Sequence, residues 1–315
     1  MLDSMTAPAR SPTGQAPVLP ARRRRRRRSL TPYLFLAPFM LLFAAVLILP
    51  LLMALDLSFF RDTLARGTIF VGLANYADIL SDPSLWQGLG HVLLFGLVQI
   101  PIMLGLALLI ALILDSGAVW GRNLFRIAFF LPYAVPSVIG ALVWAYIYGP
   151  SFGLFTRIGH AIGIAMPNFL GPRFMLASLG NVVTWEYTGY NMIVLYAALQ
   201  AVPRDVIEAS WLCGARPWQT ALRIRIPLIS QAILLTVIFS IIGTLQLFNE
   251  PAMFRPLAPD IIGDNYTPNL YAYALAFTDQ QLNASAALSF ILGAIVALFS
   301  YVFMLATRQR GEQSS

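Results

Sequence analysis

Long apolar stretches alternate with short polar segments along this chain, and that pattern is the main evidence for its fold. The apolar stretches are residues 33–55, 88–114, 127–148, 174–200, 226–249 and 282–307. A helix needs about 20 residues to cross a hydrocarbon core of ~30 Å, and barrel strands are shorter and strictly alternating, at about 10 residues. The pattern therefore predicts an all-α integral membrane protein in which six transmembrane helices form one domain over residues 33–307.

Composition supports the membrane assignment independently. Hydrophobic residues make up 58% of the 315 residues and charged residues only 11%, and the mean hydropathy is +0.71. A soluble domain of this size cannot hide so large an apolar fraction from water. Lipid is therefore expected to contact much of the surface.

The distribution of arginines predicts the orientation. The chain contains no lysine, and with a cytosolic N-terminus sixteen of the 21 basic residues fall in cytosolic segments. The positive-inside rule then places both termini in the cytosol. Residues 1–32 are predicted to be a disordered, Arg-rich tail and 308–315 a short C-terminal tail. The run Arg22–Arg28 precedes the first span closely, which favours binding to anionic lipid headgroups over binding to nucleic acid.

The longest polar interruption between spans is residues 201–228, AVPRDVIEASWLCGARPWQTALRIRIPL. Pro203 can begin a short helix, Gly214 can supply a turn with positive φ, and Pro217 can begin a second helix. The arginine count places this segment in the cytosol between spans four and five. It is therefore predicted to be a cytosolic helix-turn-helix, with Pro227 where the next span begins.

Several motifs resemble one family. The order Glu208-Ala209-Ser210, then Gly214-Ala215, then Ile224, Ile226, Pro227 and Leu228 resembles the EAA loop of ABC-importer permeases. Residues 70–76, 131–144, 185–200 and 268–290 resemble the carbohydrate-uptake branch of that family, in the same order. Ser210 stands where a second alanine is common, and Cys213 stands where an aspartate often precedes the glycine, so no contact of that aspartate is carried over.

The resemblance implies a transport role with several partners. It implies a permease subunit of the maltose and glycerol-phosphate type, in a bacterial inner membrane, that moves a sugar or polyol. The implied partners are a second, homologous permease subunit in a heterodimer, two ATPase subunits and an extracytoplasmic solute-binding protein. ATP and Mg²⁺ would bind to the ATPase, and this chain would bind no cofactor. The ATPase-coupling residues carried over are Glu208, Ala209, Ser210, Gly214, Arg216 and Pro227.

The sequence offers little catalytic chemistry of its own. A phosphate-binding loop that ends in Gly-Lys-Ser or Gly-Lys-Thr is impossible without lysine. His91 and His160 lack nearby ligands for a metal site, and Cys213 is the only cysteine, so no disulfide can form within the chain. The chain is therefore expected to be a transport subunit and not an enzyme.

Polar residues at membrane depth are the candidate substrate pathway, because they are costly there unless they have a function. One set lies in the fourth span and the other near the outer end of the fifth: Glu186, Tyr187, Tyr190 and Asn191, then Gln246, Asn249 and Glu250. Aromatic rings with amide and carboxylate groups suit a sugar, which stacks its C–H faces and hydrogen-bonds through its hydroxyls. Packing between helices is the alternative role for each residue.

A second function class remains open at this point. An ion-coupled secondary transporter could use Glu186 and Glu250 as proton or sodium carriers. Such carriers often contain inverted repeats with matching broken helices, and no convincing pair is visible in this sequence. The residues do not distinguish among oligosaccharides, monosaccharides, sugar alcohols and glycerol phosphate.

Overall fold

The computed structural model describes residues 31–63, 67–117 and 119–312, with side chains for 34–63, 67–117 and 119–305. The described chain is mostly helical. Its main helices are α1 (Thr31–Phe43), α2 (Leu49–Ser58), α3 (Ala74–Ser81), α4 (Pro83–Asp115), α5 (Arg122–Ala134), α6 (Ser137–Ile147), α7 (Leu154–Ile162), α8 (Met175–Gln200), α9 (Arg204–Leu212), α10 (Pro217–Thr220), α11 (Ile226–Leu228), α12 (Ser230–Leu245), α13 (Asn249–Phe254), α14 (Pro268–Tyr273) and α15 (Leu282–Glu312).

Short π-helical turns lie between some of these helices. A π-helical turn, Ala44–Ile48, joins α1 to α2, and further π-helical turns are Ala221–Arg225 and Ala274–Thr278. The described residues divide into two compact units, one up to residue 51 and the other from residue 52 onward. The disordered tail predicted for residues 1–32 lies almost wholly outside the described residues, except that α1 begins at Thr31. Part of the predicted C-terminal tail, 308–315, belongs to α15 instead.

Length and apolar composition identify fewer spans than the six predicted. Three described helices qualify alone: Leu34–Ser58, Pro83–Asp115 and Leu282–Leu305. Two bent helix pairs, α5 with α6 and the helices from Pro217 to Leu245, raise the number to five if each pair crosses once. The 26-residue helix α8 is about 39 Å long at ~1.5 Å per residue. It corresponds to the predicted fourth span but is not among the qualifying helices.

The predicted third span is kinked, as its prolines indicated. Helices α5 and α6 meet at an angle of 92°, and the break lies at Val135 and Pro136. Pro136 has no N–H to continue the helical hydrogen bonds, and its ring disfavours helical backbone at Val135. The kink therefore follows from the proline at position 136 of the sequence.

The span predicted over residues 226–249 is not one continuous helix. The chain bends by 70° between α11 and α12, at Ile229, and α12 ends at Leu245. Gln246 caps α12, whereas Glu250 lies in the first turn of α13. Pro251 explains the second break, because in a continuous helix its ring would clash with the carbonyl of Leu247. Gln246 and Glu250 therefore do not lie on the same face of one helix.

A small structured segment between α2 and α4 was not predicted. Strands β1 (Phe60–Thr63) and β2 (Gly67–Phe70) pair antiparallel. Asn75 in α3 accepts a hydrogen bond from Arg61 Nη2 through its Oδ1 at 2.8 Å. Its Nδ2 donates to the carbonyl of Phe60 at 2.7 Å. Asp82 then caps α4 by accepting from the Ser84 N–H at 2.8 Å, ahead of Pro83 at the first helical position.

Helices α4 and α8 pack along each other and provide the frame for the rest of residues 52–312. One buried cluster near the C-terminal ends of both helices includes Ala107, Ala111, Met192 and Leu195. Helix α5 crosses α8 at Gly189, where an added Cβ would lie 1.7 Å from the Phe129 carbonyl oxygen. Only glycine permits this approach of two backbones.

Candidate functional site: a polar cavity and an exposed helix-turn-helix

A cavity of about 270 Å³ lies among α4, α8, α12 and α13, with α5 at one side. One break in the helical chain borders it, because α12 stops before Gln246 and α13 begins at Asn249. Its polar lining residues are Gln99, Tyr133, Tyr187, Tyr190, Asn191, Ser240, Thr244, Gln246, Asn249 and Glu250. Non-helical backbone at membrane depth is tolerated where it borders such a cavity.

Most of the polar residues predicted for the substrate pathway meet in this cavity. Those on its lining are Tyr187, Tyr190, Asn191, Gln246, Asn249 and Glu250. Glu186 is not a lining residue. Its side chain is 4% exposed, and Oε2 has no hydrogen-bond partner among the described residues.

Three tyrosines form one side of the cavity. The rings of Tyr133 and Tyr190 stack with centroids 4.8 Å apart, and Tyr187 meets Tyr133 edge-on at 5.8 Å. Offset-stacked and edge-to-face arrangements are the favoured ones for aromatic rings. Together the three rings form a broad aromatic surface beside the side-chain amides of the lining.

Two side-chain amides near the α4–α8 contact share one methionine as an acceptor. Gln99 Nε2 donates to Met103 Sδ at 3.3 Å, and Asn191 Nδ2 donates to the same sulfur at 3.8 Å and to the Tyr187 carbonyl at 3.0 Å. Gln99 Oε1 is buried and has no hydrogen-bond partner among the described residues. A buried carbonyl without a partner costs about 1–3 kcal/mol, so this acceptor favours a hydroxyl donor in the cavity.

Sequence reasoning missed Gln99 and Tyr133. Gln99 is an uncharged amide within the apolar 88–114 stretch, and it was visible as a polar residue at membrane depth. Tyr133 reaches the cavity because α5 crosses α8 closely, which no pattern within a single helix indicates. Asn249, by contrast, was predicted, and it also has a structural contact: its Nδ2 donates to Ser137 Oγ at 2.8 Å.

The cavity lining has an acidic side chain but no basic one among the described residues. Among the described residues that line it, Glu250 has the only carboxyl group, and none has a basic side chain. Glu250 is 5% exposed. No group of three or more His, Cys, Asp or Glu side chains suited to a metal ion occurs in the described part of the chain. The lining therefore suits an uncharged ligand with many hydroxyls.

The second candidate region, residues 201–228, folds as two helices around a glycine turn. Gly214 adopts φ +79°, and α9 precedes it. Helix α10 follows and continues through the π-helical turn into α11. Glu208, Ala209, Arg216 and Pro227 are exposed, so they are accessible to a partner.

Ser210 differs from its neighbours Glu208 and Ala209. It is 7% exposed, and its hydroxyl forms hydrogen bonds to the Ile207 carbonyl at 2.6 Å and to Thr220 Oγ1 at 3.1 Å. The small side chain therefore joins α9 to α10 inside the segment.

The fold and cavity define a class: a helical membrane protein whose broken helices surround a polar site. Residues 104–309 match the family described as binding-protein-dependent transport system inner membrane component. The chain belongs to that family. It is a permease of the carbohydrate-uptake ABC importers, a transport subunit of the inner membrane and not an enzyme.

Similar proteins cover nearly the whole chain. The lactose transport system permease protein LacF of Rhizobium radiobacter is 32% identical, over 88% of this chain and 94% of LacF. The trehalose transport system permease protein SugA of Mycobacterium tuberculosis is 28% identical, over 86% of this chain and 87% of SugA. A bacterial ABC transporter that imports the acidic polysaccharide alginate has a similar fold, with a TM-score of 0.77, 18% identity, and coverage of 90% of this chain and 96% of that one.

Proposed function

We propose that this chain forms one half of a membrane pathway for a neutral saccharide and that the cavity beside α8 holds the sugar. The observation that carries the proposal is the lining: three tyrosines, several amides, one carboxyl group and no basic side chain among the described lining residues. Tyrosine faces stack on sugar rings, while amides both donate to and accept from hydroxyls. An anionic sugar would instead need cationic partners.

The proposed pathway is incomplete in one chain. A cavity at the edge of α4, α8 and α12 requires a second wall, and a second, homologous permease subunit would supply it as a heterodimer. Each half would contribute six spans, with α8 counted as the fourth and each bent pair as one. Both termini would lie in the cytosol, in agreement with the arginine distribution.

ATP hydrolysis would drive transport from outside this chain. Two ATPase subunits would bind ATP and Mg²⁺. Each would bind the helix-turn-helix of one permease subunit through exposed residues such as Glu208 and Ala209. An extracytoplasmic solute-binding protein would deliver the sugar to the outer face. When the ATPases close, the docked segments would move, and the two permease halves would rock about the cavity in alternating access.

The breaks at Pro136 and Ile229 suit such a motion. Hinges are commonly found at the ends of helices, where a few residues absorb changes in φ and ψ. The 70° bend separates the cavity-lining helix α12 from the helix-turn-helix that precedes it, and the 92° bend directly follows the part of α5 that carries the cavity residue Tyr133. Movement at the cytosolic side would therefore change the cavity without unfolding a span.

Uptake assays test the proposed substrate class. Cells that lack this chain and cells complemented with it are compared for uptake of radiolabelled lactose, trehalose and maltose, with a uronate disaccharide as the anionic probe. The expected result is that uptake of at least one neutral sugar depends on the chain and that uronate uptake does not. Uptake of the uronate alone would overturn the neutral-sugar proposal.

Tyr190→Leu is expected to weaken sugar transport without loss of the protein from the membrane. The variant removes one stacking face, and aromatic contacts of this kind are worth about 0.5–1.5 kcal/mol, so the KM for the transported sugar should rise about 2- to 12-fold. Tyr146→Leu is the matched control, because Tyr146 lies on α6, is 55% exposed and does not line the cavity. Equal KM values for the two variants would contradict the site.

A further inference from the structure

One carboxylate joins three helical segments on the side of the protein where residues 201–228 lie. Asp115 is the last residue of α4, and its Oδ2 accepts from Arg225 Nη1 at 2.7 Å. Its Oδ1 accepts from Nε2 of Gln200, the last residue of α8, at 2.5 Å. Both carboxylate oxygens are thus occupied by partners from different parts of the chain.

The ion pair in this cluster is well shielded. The side chains of Arg225 and Asp115 are 14% and 8% exposed, and Arg225 Nε is buried without a hydrogen-bond partner among the described residues. A shielded pair is screened by salt much less than a surface pair. The C-terminal ends of α4 and α8 also favour a nearby cation, because helix dipoles are negative there. Arg225 is therefore held in place both by its ion pair with Asp115 and by the dipoles of α4 and α8.

A continuous set of contacts leads from the exposed helix α9 to this cluster. Ser210 on α9 contacts Thr220 on α10 through their hydroxyls at 3.1 Å. Thr220 directly precedes the π-helical turn that ends at Arg225. Beyond Asp115, the helices α4 and α8 carry the cavity residues Gln99 and Asn191.

We propose that Asp115, Arg225 and Gln200 form a coupling brace that transmits movement of the helix-turn-helix to α4 and α8. The hinge at Ile229 lies only four residues after Arg225. Without the brace, movement of α9 and α10 would be absorbed at that hinge and would not reach the cavity. Arg225, Asp115 and Gln200 are positioning residues, since they touch neither the sugar nor ATP. The proposal rests on the proposed function, in which an ATPase moves this segment.

The test uses the purified full importer in proteoliposomes, with ATP hydrolysis and sugar uptake measured together. Asp115→Asn and Arg225→Gln are compared with Arg223→Gln, the control, because Arg223 is an exposed arginine of the same π-helical turn. Arg225→Lys keeps the charge and serves as the conservative variant. The three readouts are recovery of the ATPase with the permease, the rate of ATP hydrolysis, and the number of ATP molecules hydrolysed per sugar transported.

A coupling brace predicts a specific combination of results. Asp115→Asn and Arg225→Gln should still recover the ATPase and hydrolyse ATP, while the ATP consumed per sugar rises about tenfold or more, as expected when one partner of a buried pair is removed. Arg225→Lys should restore part of the coupling, and Arg223→Gln should behave as the unchanged protein. If recovery, hydrolysis and uptake fall together with an unchanged ratio, the role is merely structural and the proposal is overturned.

Gln200→Leu keeps the test decisive if the charge variants fail to accumulate. Gln200 is exposed, and its replacement leaves the ion pair intact. Because this hydrogen bond is exposed to water, its contribution lies at the low end of the usual range, so its loss should raise the ATP consumed per sugar about two- to fivefold. An unchanged ratio would overturn the brace. Failure of the unchanged chain to bring down any ATPase would instead refute the proposed function.

Discussion

Replacing Glu208 with alanine is expected to abolish ATP-driven sugar uptake while the chain still inserts in the membrane. Glu208 is an exposed carboxylate on α9, directly before the small residue Ala209, so it can enter a groove on a partner. Removing one partner of a charge pair buried at an interface typically costs about 2–5 kcal/mol. Association with the ATPase should therefore weaken about 30-fold or more, as measured by co-purification and by sugar uptake.

Asp205→Ala is the matched control for this experiment. Asp205 is an exposed carboxylate in the first turn of the same helix, and its loss should remove only a helix-dipole interaction of about 0.3–1 kcal/mol. Coupling should survive in this variant. If Glu208→Ala and Asp205→Ala reduce uptake equally, general weakening of α9 explains the result, and the specific role of Glu208 is contradicted.

Gly189→Ala is expected to have the largest effect on stability. A Cβ at this position would lie 1.7 Å from the oxygen and 2.4 Å from the carbon of the Phe129 carbonyl. Backbone atoms cannot rotate away as a side chain can, so α5 and α8 would have to separate. Overpacking costs about 1–3 kcal/mol and sometimes more. Both the amount of folded protein in detergent and its melting temperature should fall.

Gly180→Ala tests whether the close crossing explains that loss. The nearest atom to an added Cβ at Gly180 is Phe95 Cε2 at 3.8 Å, which is ordinary contact. Alanine within a helix is favoured over glycine by about 1 kcal/mol, so this variant on the same helix should be as stable as the unchanged protein or more so. A Gly189→Ala protein that melts at the same temperature as Gly180→Ala would contradict the packing of α5 on α8.

Hydropathy and proline positions predicted much of the fold, because lipid imposes a simple length rule on apolar helices. The segments 33–55, 88–114 and 282–307 correspond to long described helices, and the kink near Pro136 followed from proline chemistry. The bend at Ile229 was not predicted, because Pro227 is tolerated in the first turn of α11. Hydropathy reports how apolar a segment is, and it contains no information about the direction in which the segment runs.

The cavity could be predicted only in part, for a different physical reason. Periodicity within one helix groups Tyr187 with Asn191, and both line the cavity. Gln99 and Tyr133 join them through the packing of α4 and α5 on α8, which depends on contacts between helices. Ser210 was predicted to face the ATPase. It is instead buried between α9 and α10, where its hydroxyl hydrogen-bonds to Thr220, ten residues further along the chain.

Purification of the tagged full chain from native membranes in mild detergent tests the central claim most directly, with the co-purifying proteins identified and their ATP hydrolysis measured. The account predicts recovery of an ATPase together with a second permease subunit, and loss or uncoupling of the ATPase in the Glu208→Ala variant. A stable chain recovered without any ATPase, together with sugar uptake that collapses when the proton gradient is dissipated, would contradict it. That result would establish an ion-coupled carrier and direct attention to Glu186 and Glu250.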